Sequence, residues 1–342
     1  MHLSDFDYVL PKELIAQVPV EPRDASRMMV LHRASQTISD RHFFDLPEYL
    51  GENDVLVFNQ SKVIPARIVF EFRGKACELF FIREMGVNRW EVMVKPGKFF
   101  KEGDRVALNE SVEVLVEEVR PESEHGHRVV RIFDTLGRDR FELLHALGSI
   151  PLPPYIESQE GVSKYQNVYA TDPGSVAAPT AGFHFTTELL ERLRARGVQT
   201  EFLTLHVGPG TFLPVMTDDV LQHVMHEEFF SLPSEVADRL NAAKRAGKRI
   251  ISVGTTTTRV LESCVDEHGD VVAKDGSTKL FIYPGFNWKF IDALITNFHL
   301  PKSTLLMLVS SFAGKEFAFE AYRRAVAEQY RFFSFGDGMV IF

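Results

Sequence analysis

The stretch between residues 63 and 133 constrains the fold of this 342-residue chain most strongly. Turn sequences such as Arg73-Gly74 and Pro96-Gly97 divide it into short runs of residues that are typical of β-strands. Regularly spaced short strands without intervening helices are typical of a small antiparallel barrel or sandwich. The runs cover residues 63–70, 76–83, 89–94, 105–108, 112–119 and 128–133.

Strands and helices alternate in the rest of the chain. Helical patterns at 188–196, 235–246 and 255–267 are interleaved with apolar strand patterns, among them 198–207 and 249–253, and 280–283 is a further predicted strand. We therefore predict an α/β fold with a largely parallel or mixed sheet and flanking helices, interrupted by a small antiparallel β-barrel insert. The predicted domains are residues 1–61 with 151–342, and the insert 62–150. Ligands of such sheets bind beyond the carboxyl ends of the strands.

Composition limits the classes of protein that fit the sequence. An apolar content of 45% with 25% charged residues predicts a folded protein. A net charge of −9 argues against binding nucleic acid over the whole surface, although a local basic patch remains compatible with it. The two cysteines, Cys77 and Cys264, are too few for a disulfide framework or a zinc knuckle. Without an apolar leader or a run long enough to span a membrane, we expect a cytoplasmic protein.

Three histidines in the second half share one pattern. His184, His206 and His299 each lie between two large apolar residues, in segments rich in Gly, Thr, Ser or Asn. A half-buried histidine beside small residues and hydroxyls can be tuned as an acid or a base. One such histidine usually belongs to the core, whereas three predict an active site.

Two further segments combine apolar and polar residues. Gly254 follows an apolar strand pattern and precedes four threonines and Arg259, so the free amides of a helix start can hold a carboxylate there. An ordinary turn with threonine capping explains the same pattern. In residues 292–304, Asp292, Asn297 and His299 need hydrogen-bond partners if they are buried. Ser303 fits a helix N-cap.

Two clusters of charged residues leave alternatives open. Lys95, Lys98 and Lys101 alternate with Phe99 and Phe100, a pattern that suits phosphates and stacked bases, but a solvated hairpin also explains it. A second cluster has two histidines three positions apart, with carboxylates adjacent to them. This spacing can bind a metal if the segment is helical, although an acid–base or structural role fits better because no further ligand lies at a motif distance. Its residues are His223, His226 and Glu228.

Motifs spread over the whole chain match one family. They are residues 3–7, 17–27, 65–67, 173–182, 205–208, 254–256, Arg259, 284–285, 296–304 and 336–337. On these motifs the chain resembles, from end to end, the S-adenosylmethionine:tRNA ribosyltransferase-isomerase family of queuosine biosynthesis. Small departures occur at Phe183 and Pro209 and remove no polar candidate.

The resemblance implies an α/β domain interrupted by a β-barrel, and a particular reaction. The ribosyl part of S-adenosylmethionine moves to the aminomethyl group of a 7-deazaguanine in the tRNA anticodon loop, which forms epoxyqueuosine and releases adenine and methionine. As proposed for the family, a base removes a proton from the carbon beside the sulfonium before adenine leaves. S-adenosylmethionine is then a co-substrate. We expect no permanently bound cofactor, no metal and no membrane contact, and a monomer or weak homo-oligomer.

These expectations give each candidate residue a role. His184, His206 and His299 are predicted to supply acid–base function, and Asp292 to orient a histidine or hold the ribose hydroxyls. The lysines Lys95, Lys98 and Lys101 are predicted to face tRNA. The predicted substrate-binding residues are Thr180, Gly208, Gly254, Thr255, Thr256, Arg259, Asn297, Ser303 and Thr304.

Three other functions compete with this interpretation. A methyltransferase would release S-adenosylhomocysteine, but the chain lacks a glycine-rich loop after an early strand. A non-catalytic RNA-binding protein would bind RNA in a salt-sensitive manner whether or not the histidines are intact. A metallohydrolase using His223, His226 and Glu228 would lose activity on chelation.

Overall fold

The computed structural model describes residues 1–120, 126–208, 210, 215 and 217–342. The strands are Arg27–His32 (β1), Thr37–His42 (β2), Asp54–Asn59 (β3), Ser61–Val63 (β4), Arg67–Phe72 (β5), Lys75–Gly86 (β6), Arg89–Lys95 (β7), Arg105–Ala107 (β8), Val112–Arg120 (β9), His127–Asp134 (β10), Asp172–Ser175 (β11), Gln199–Leu205 (β12), Glu228–Leu232 (β13), Arg249–Val253 (β14), Lys274–Thr278 (β15), Ala293–Asn297 (β16) and Gly338–Ile341 (β17). The α-helices are Arg140–Leu147 (α1), Thr187–Ala195 (α2), Ser234–Arg245 (α3), Thr255–Ser263 (α4), Thr304–Ala313 (α5) and Lys315–Ala327 (α6).

The chain divides into two compact units. Met1–Lys62, Pro153–Asp172 and Ala178–Phe342 form the larger unit, and Val63–Leu152 with Pro173–Ala177 forms the smaller one. No sequence signal pointed to the return of residues 173–177 to the smaller unit, and the predicted domain limits stay a prediction.

The larger unit is built on a nine-stranded mixed sheet in the order β15-β13-β12-β3-β14-β16-β17-β1-β2. The four strands β12, β3, β14 and β16 are parallel to their neighbours within this set. The flanking strands β13 and β17 run antiparallel to them, and β1 is parallel to β17. The predicted α/β class with a mixed sheet is therefore confirmed.

Strand direction brings many chain segments to one edge of this sheet. The parallel strands end there at Leu205, Asn59, Val253 and Asn297. Because β13, β17 and β1 run the other way relative to that edge, they begin there, at Glu228, Gly338 and Arg27. We call this edge of the sheet the carboxyl edge; it is where open α/β sheets bind their ligands.

Helix α2 shows how the sheet is covered. Its leucines Leu189, Leu190 and Leu193 recur at helical spacing and are buried in one cluster with Phe58 and Val253 of the sheet. Each such side chain contributes about 1.5–3 kcal/mol through removal of apolar surface from water. The sheet and this helix therefore form a rigid base for the residues at the carboxyl edge.

The smaller unit is an antiparallel six-stranded sheet in the order β5-β6-β7-β10-β9-β8. Its alternating residues enclose a core that includes Phe81, Trp90 and Phe100, and α1 adds Leu143 and Leu144. The predicted short antiparallel strands of the insert are confirmed.

One local prediction was wrong. Residues 280–283 form no strand, and the strand lies instead at Lys274–Thr278, whose polar composition suits its place at the edge of the sheet. Among the described helices, none combines the length and the apolar character needed to cross a membrane.

Candidate active site

His184 ends a short 3-10 helix, Thr180–His184, and is almost fully buried. Its ring stacks on Phe43 with the centroids 3.9 Å apart and an angle of 2° between the planes. The Nδ1 atom lies 2.7 Å from Ser26 Oγ. Burial lowers the pKa of His184 to about 3, and its buried Nε2 atom has no hydrogen-bond partner among the described residues. The imidazole is therefore neutral near pH 7.

His299 follows β16 and is also buried. Its Nε2 lies 2.9 Å from Thr296 Oγ1, and its backbone N–H donates to Tyr322 Oη at 3.0 Å. Burial lowers the pKa of His299 to about 3. Like His184, this imidazole is neutral near pH 7. Each of the two rings can therefore donate one hydrogen bond and accept another.

His206 differs from the other two histidines because it is half-buried. It directly follows β12, and its backbone N–H donates to Phe229 O at 2.9 Å. Two residues on, the N–H of Gly208 donates to Glu228 Oε1 at 3.1 Å. The His206 side chain thus lies at the carboxyl edge on a backbone that β13 holds. Pro209 and residues 211–214, which follow this segment, lie outside the described residues.

Asn59 connects three chain segments at this edge and was missed in the sequence. Its Nδ2 donates to Leu205 O at 2.9 Å and to Thr256 Oγ1 at 3.3 Å, and its Oδ1 accepts from Leu205 N at 3.0 Å. These bonds fix the end of β12, next to His206, relative to β3 and the start of α4. The only sequence signal was an asparagine after an apolar strand, which is equally typical of a turn.

The four threonines after Gly254 divide into two pairs. Thr257 Oγ1 donates to Val253 O at 2.8 Å, and Thr258 Oγ1 donates to Ser252 Oγ at 2.8 Å, so these two serve the preceding strand. Thr255 and Thr256 occupy the first turn of α4 at the carboxyl edge. Gly254 has φ 92°, a conformation that favours glycine, which lets the chain turn directly from β14 into α4.

Arg259 is buried on α4 and forms an ion pair with Glu228. Its Nε donates to Leu280 O at 2.9 Å. Its guanidinium is therefore held between β13 and the segment that follows β15.

Asp292 lies outside this arrangement. It precedes β16, whereas Asn297 ends that strand, so about 16 Å of extended chain separates the two residues. The carboxylate accepts from Lys244 Nζ at 2.7 and 2.8 Å and from Ile250 N at 2.7 Å. These contacts join α3 and β14 to Asp292 at the opposite edge of the sheet. The expectation that Asp292 orients one of the histidines is therefore corrected.

We expect Asp292→Asn to leave turnover within about 3-fold of the wild type, because the site is a strand length away. The half-exposed ion pair with Lys244 is worth no more than about 1 kcal/mol of unfolding free energy. Steady-state kinetics and denaturant titration check both numbers, and Lys244→Gln should behave alike. A loss of turnover without a loss of stability would restore Asp292 to the site.

The sequence matches, over residues 3–341, the model of a family described as queuosine biosynthesis protein. The chain belongs to this family. It is 54% identical over 345 residues to the S-adenosylmethionine:tRNA ribosyltransferase-isomerase of Symbiobacterium thermophilum, and 49% identical over 344 residues to that of Thermotoga maritima, with 100% of both chains covered in each case. A crystal structure of the S-adenosylmethionine tRNA ribosyltransferase from Thermotoga maritima is similar with a TM-score of 0.58 and 41% identity, covering 99% of this chain and 100% of that one.

This member of the queuosine biosynthesis family brings most of its candidate residues to the carboxyl edge. His206, Gly208, Gly254, Thr255 and Asn297 lie at or directly after strand ends there. Thr180 begins the 3-10 helix of His184. Ser303 caps α5 by accepting from Leu306 N at 3.2 Å, and Thr304 is its first residue, so helix formation accounts for both.

The remaining candidates of this family member lie elsewhere. Lys95, Lys98 and Lys101 are exposed on the smaller unit, with Lys98 Nζ 5.3 Å from the centre of the Phe99 ring. Phe100 is fully buried in the core of that unit, so it cannot stack on a base as expected.

The spacing of His223 and His226 suggested a metal site only if the segment is helical, and residues 223–227 are not. In the part of the chain that the structure describes, no group of three or more His, Cys, Asp or Glu residues is arranged to hold a metal ion.

Proposed function

We propose that this chain transfers the ribosyl moiety of S-adenosylmethionine to the 7-aminomethyl-7-deazaguanine of tRNA, forms epoxyqueuosine, and releases adenine and methionine. The observation that carries the proposal is the full-length similarity, at 54% and 49% identity, to proteins named S-adenosylmethionine:tRNA ribosyltransferase-isomerase. S-adenosylmethionine is the co-substrate, the modified anticodon loop of tRNA is the acceptor, and the protein acts in the cytoplasm.

The carboxyl edge offers groups that suit this chemistry. The reaction needs a base for the carbon beside the sulfonium and a proton donor for the leaving adenine. His206 is the best candidate for proton transfer because it is half-buried, whereas His184 and His299 are buried and their pKa values are lowered to about 3. A general acid or base works best with a pKa near the working pH. His184 and His299 then serve as neutral hydrogen-bonding groups.

The groups for holding S-adenosylmethionine are proposed from their places at the same edge. The first turn of α4 follows Gly254 and holds Thr255 and Thr256, and its N-terminal amides and positive dipole end favour the methionine carboxylate. Asn297 lies near His184, and Thr180 begins the 3-10 helix that ends at His184, so both offer polar groups for the ribose hydroxyls.

The exposed lysines of the smaller unit are proposed to bind tRNA phosphates. We expect the triple variant Lys95→Gln, Lys98→Gln, Lys101→Gln to raise the KM for tRNA about 10-fold and to weaken its salt dependence, since each lost phosphate contact reduces the salt slope by about 0.7–0.9. Titration of tRNA at several salt concentrations measures both effects. The triple variant Lys12→Gln, Lys274→Gln, Lys289→Gln removes the same charge from exposed positions of the larger unit, and an equal effect there would exclude a specific role.

The proposed function is tested by incubation with S-adenosylmethionine and tRNA that carries the aminomethyl-deazaguanine, followed by chromatography of the small products. We expect adenine and methionine in equal amounts, and only when this tRNA is present. Release of S-adenosylhomocysteine would identify a methyltransferase, and binding of tRNA without any product would favour a non-catalytic RNA-binding protein.

A further inference from the structure

A buried ion pair joins α4 to the sheet at the carboxyl edge. Arg259 lies in the second turn of α4 and Glu228 is the first residue of β13, and their side chains are 7% and 5% exposed. Two opposite charges at this depth are expensive to desolvate, and a well-packed apolar pair of similar volume would often stabilise the fold as well or better. Fold stability alone therefore gives a weak reason for charges at these positions.

Glu228 connects this ion pair to the segment that carries His206. One carboxylate oxygen, Oε2, accepts from Arg259, and the other, Oε1, accepts from the N–H of Gly208 at 3.1 Å. The residue next to Glu228, Phe229, accepts from the N–H of His206 at 2.9 Å. The first two residues of β13 thus fix the backbone on both sides of Val207, directly at the proposed proton-transfer residue.

Arg259 is in turn fixed by the main chain. Its Nε donates to Leu280 O at 2.9 Å, which aims the guanidinium at Glu228. A lysine has a single terminal ammonium and lacks the planar fork that makes these two contacts together. The orientation of the Glu228 carboxylate therefore depends on an arginine at position 259.

We propose that Arg259 and Glu228 are positioning residues for His206, with Arg259 acting on turnover through Glu228 and the Gly208 amide. This inference rests on the proposed function and replaces the expectation that Arg259 binds the methionine carboxylate. The two assignments predict different effects. If Arg259 binds the methionine carboxylate, its replacement raises the KM for S-adenosylmethionine and replacement of Glu228 has no such effect. If Arg259 positions His206 through Glu228, replacement of either residue lowers kcat.

A double-mutant cycle separates them, with Arg259→Gln, Glu228→Gln and the double variant assayed for adenine release. We expect each single variant to lower kcat about 10-fold or more with little change in the KM for S-adenosylmethionine, and the double variant to be no worse than either, since residues that act as one unit are not additive. Wild-type turnover is measured first. An inactive wild type would reject the proposed function. The role of the ion pair in fixing the Gly208 amide would then be decided by hydrogen exchange.

A second readout does not depend on activity. Hydrogen exchange followed by mass spectrometry reports on the Gly208 amide, which should exchange faster in both single variants because its acceptor is lost or turned away. Arg259→Lys is included in case a neutral residue at this buried position prevents folding. It keeps the charge, and we expect it to show the same faster exchange and a smaller loss of kcat.

The pair Arg239 and Glu201 provides a control of the same residue types at a more exposed position. It joins α3 to β12 through two contacts of 2.8 Å, away from the end of that strand, and the Arg239 side chain is 50% exposed. Arg239→Gln should change neither kcat nor the exchange of Gly208. A KM raised 10-fold or more by Arg259→Gln at normal kcat, together with a nearly wild-type Glu228→Gln, would overturn the proposal, as would unchanged exchange of the Gly208 amide.

Discussion

Replacement of His206 by alanine is expected to lower kcat by about 10²- to 10⁴-fold, the usual contribution of a positioned acid or base. The reason is the difference in environment among the three histidines. His184 and His299 are buried with pKa values lowered to about 3, and a base of that pKa accepts protons poorly near pH 7. His206 is half-buried beside the strand ends, where a substrate can reach it.

The fold should tolerate this substitution. The half-buried imidazole fills no core position, and the backbone bond from His206 to Phe229 does not involve the side chain. Steady-state assay of adenine release measures the effect, with circular dichroism as the check on folding. His226→Ala, an exposed histidine in the same region, is the matched control and should keep turnover within about 3-fold, as surface substitutions generally do. Near-normal kcat in a folded His206→Ala would remove this residue from the chemistry.

Mild acid is expected to destabilise the protein strongly, by about 5 kcal/mol between pH 7.5 and pH 4.5. His184 and His299 have an ordinary pKa of 6.5 when exposed, and burial lowers the pKa of each to about 3 in the fold. Between these values the unfolded chain binds two protons that the folded chain excludes. Their contribution to stability is therefore fully present above pH 6.5 and is lost as the pH falls toward 3.

The pH range over which stability is lost distinguishes the two buried histidines from the carboxylates. Hydrogen bonds to His127 and the nearby arginines lower the pKa of Glu91 to about 2, and Arg138 lowers the pKa of Asp134 to about 2, so their contributions are lost only below about pH 4.5. Total stabilities are about 5–15 kcal/mol, and a loss of this size brings the protein close to unfolding.

Urea titration at pH 7.5, 6, 5 and 4.5 measures this loss in the free energy of unfolding. His184→Gln and His299→Gln should each remove about half of it, since the amide is neutral throughout. His268→Gln serves as the control because this histidine is 77% exposed, and it should change nothing. A free energy of unfolding that stays level down to pH 5 would mean that both buried imidazoles become charged in the fold.

The sequence predicted part of this edge. Apolar patterns identified β12 and β14, and the rule that ligands of such sheets bind beyond the carboxyl ends of the strands applies to His206 and Gly254, which directly follow these two strands. The rule failed for Asp292 because the strand Ala293–Asn297 was not recognised. Once that strand is present, Asp292 and Asn297 must lie at opposite edges of the sheet.

Other features depend on contacts between residues far apart in the sequence. Glu228 was grouped with two nearby histidines, yet its partner is Arg259, 31 positions later. Asn59 reaches Leu205 across 146 positions. Phe100 looked available for stacking because its neighbours are lysines, but the closing of the antiparallel sheet around its core buries the ring. Local patterns carry no information about such pairs.

The most direct measurement of the central claim follows two labels of S-adenosylmethionine into tRNA. One preparation carries radioactive carbon in the ribose and the other in the methyl group, and each is incubated with the protein and the aminomethyl-deazaguanine tRNA. Ribosyl transfer predicts label in the tRNA from the ribose preparation only, with the methyl label recovered in methionine. Methyl label in the tRNA, or no ribose label in it, would contradict the assignment.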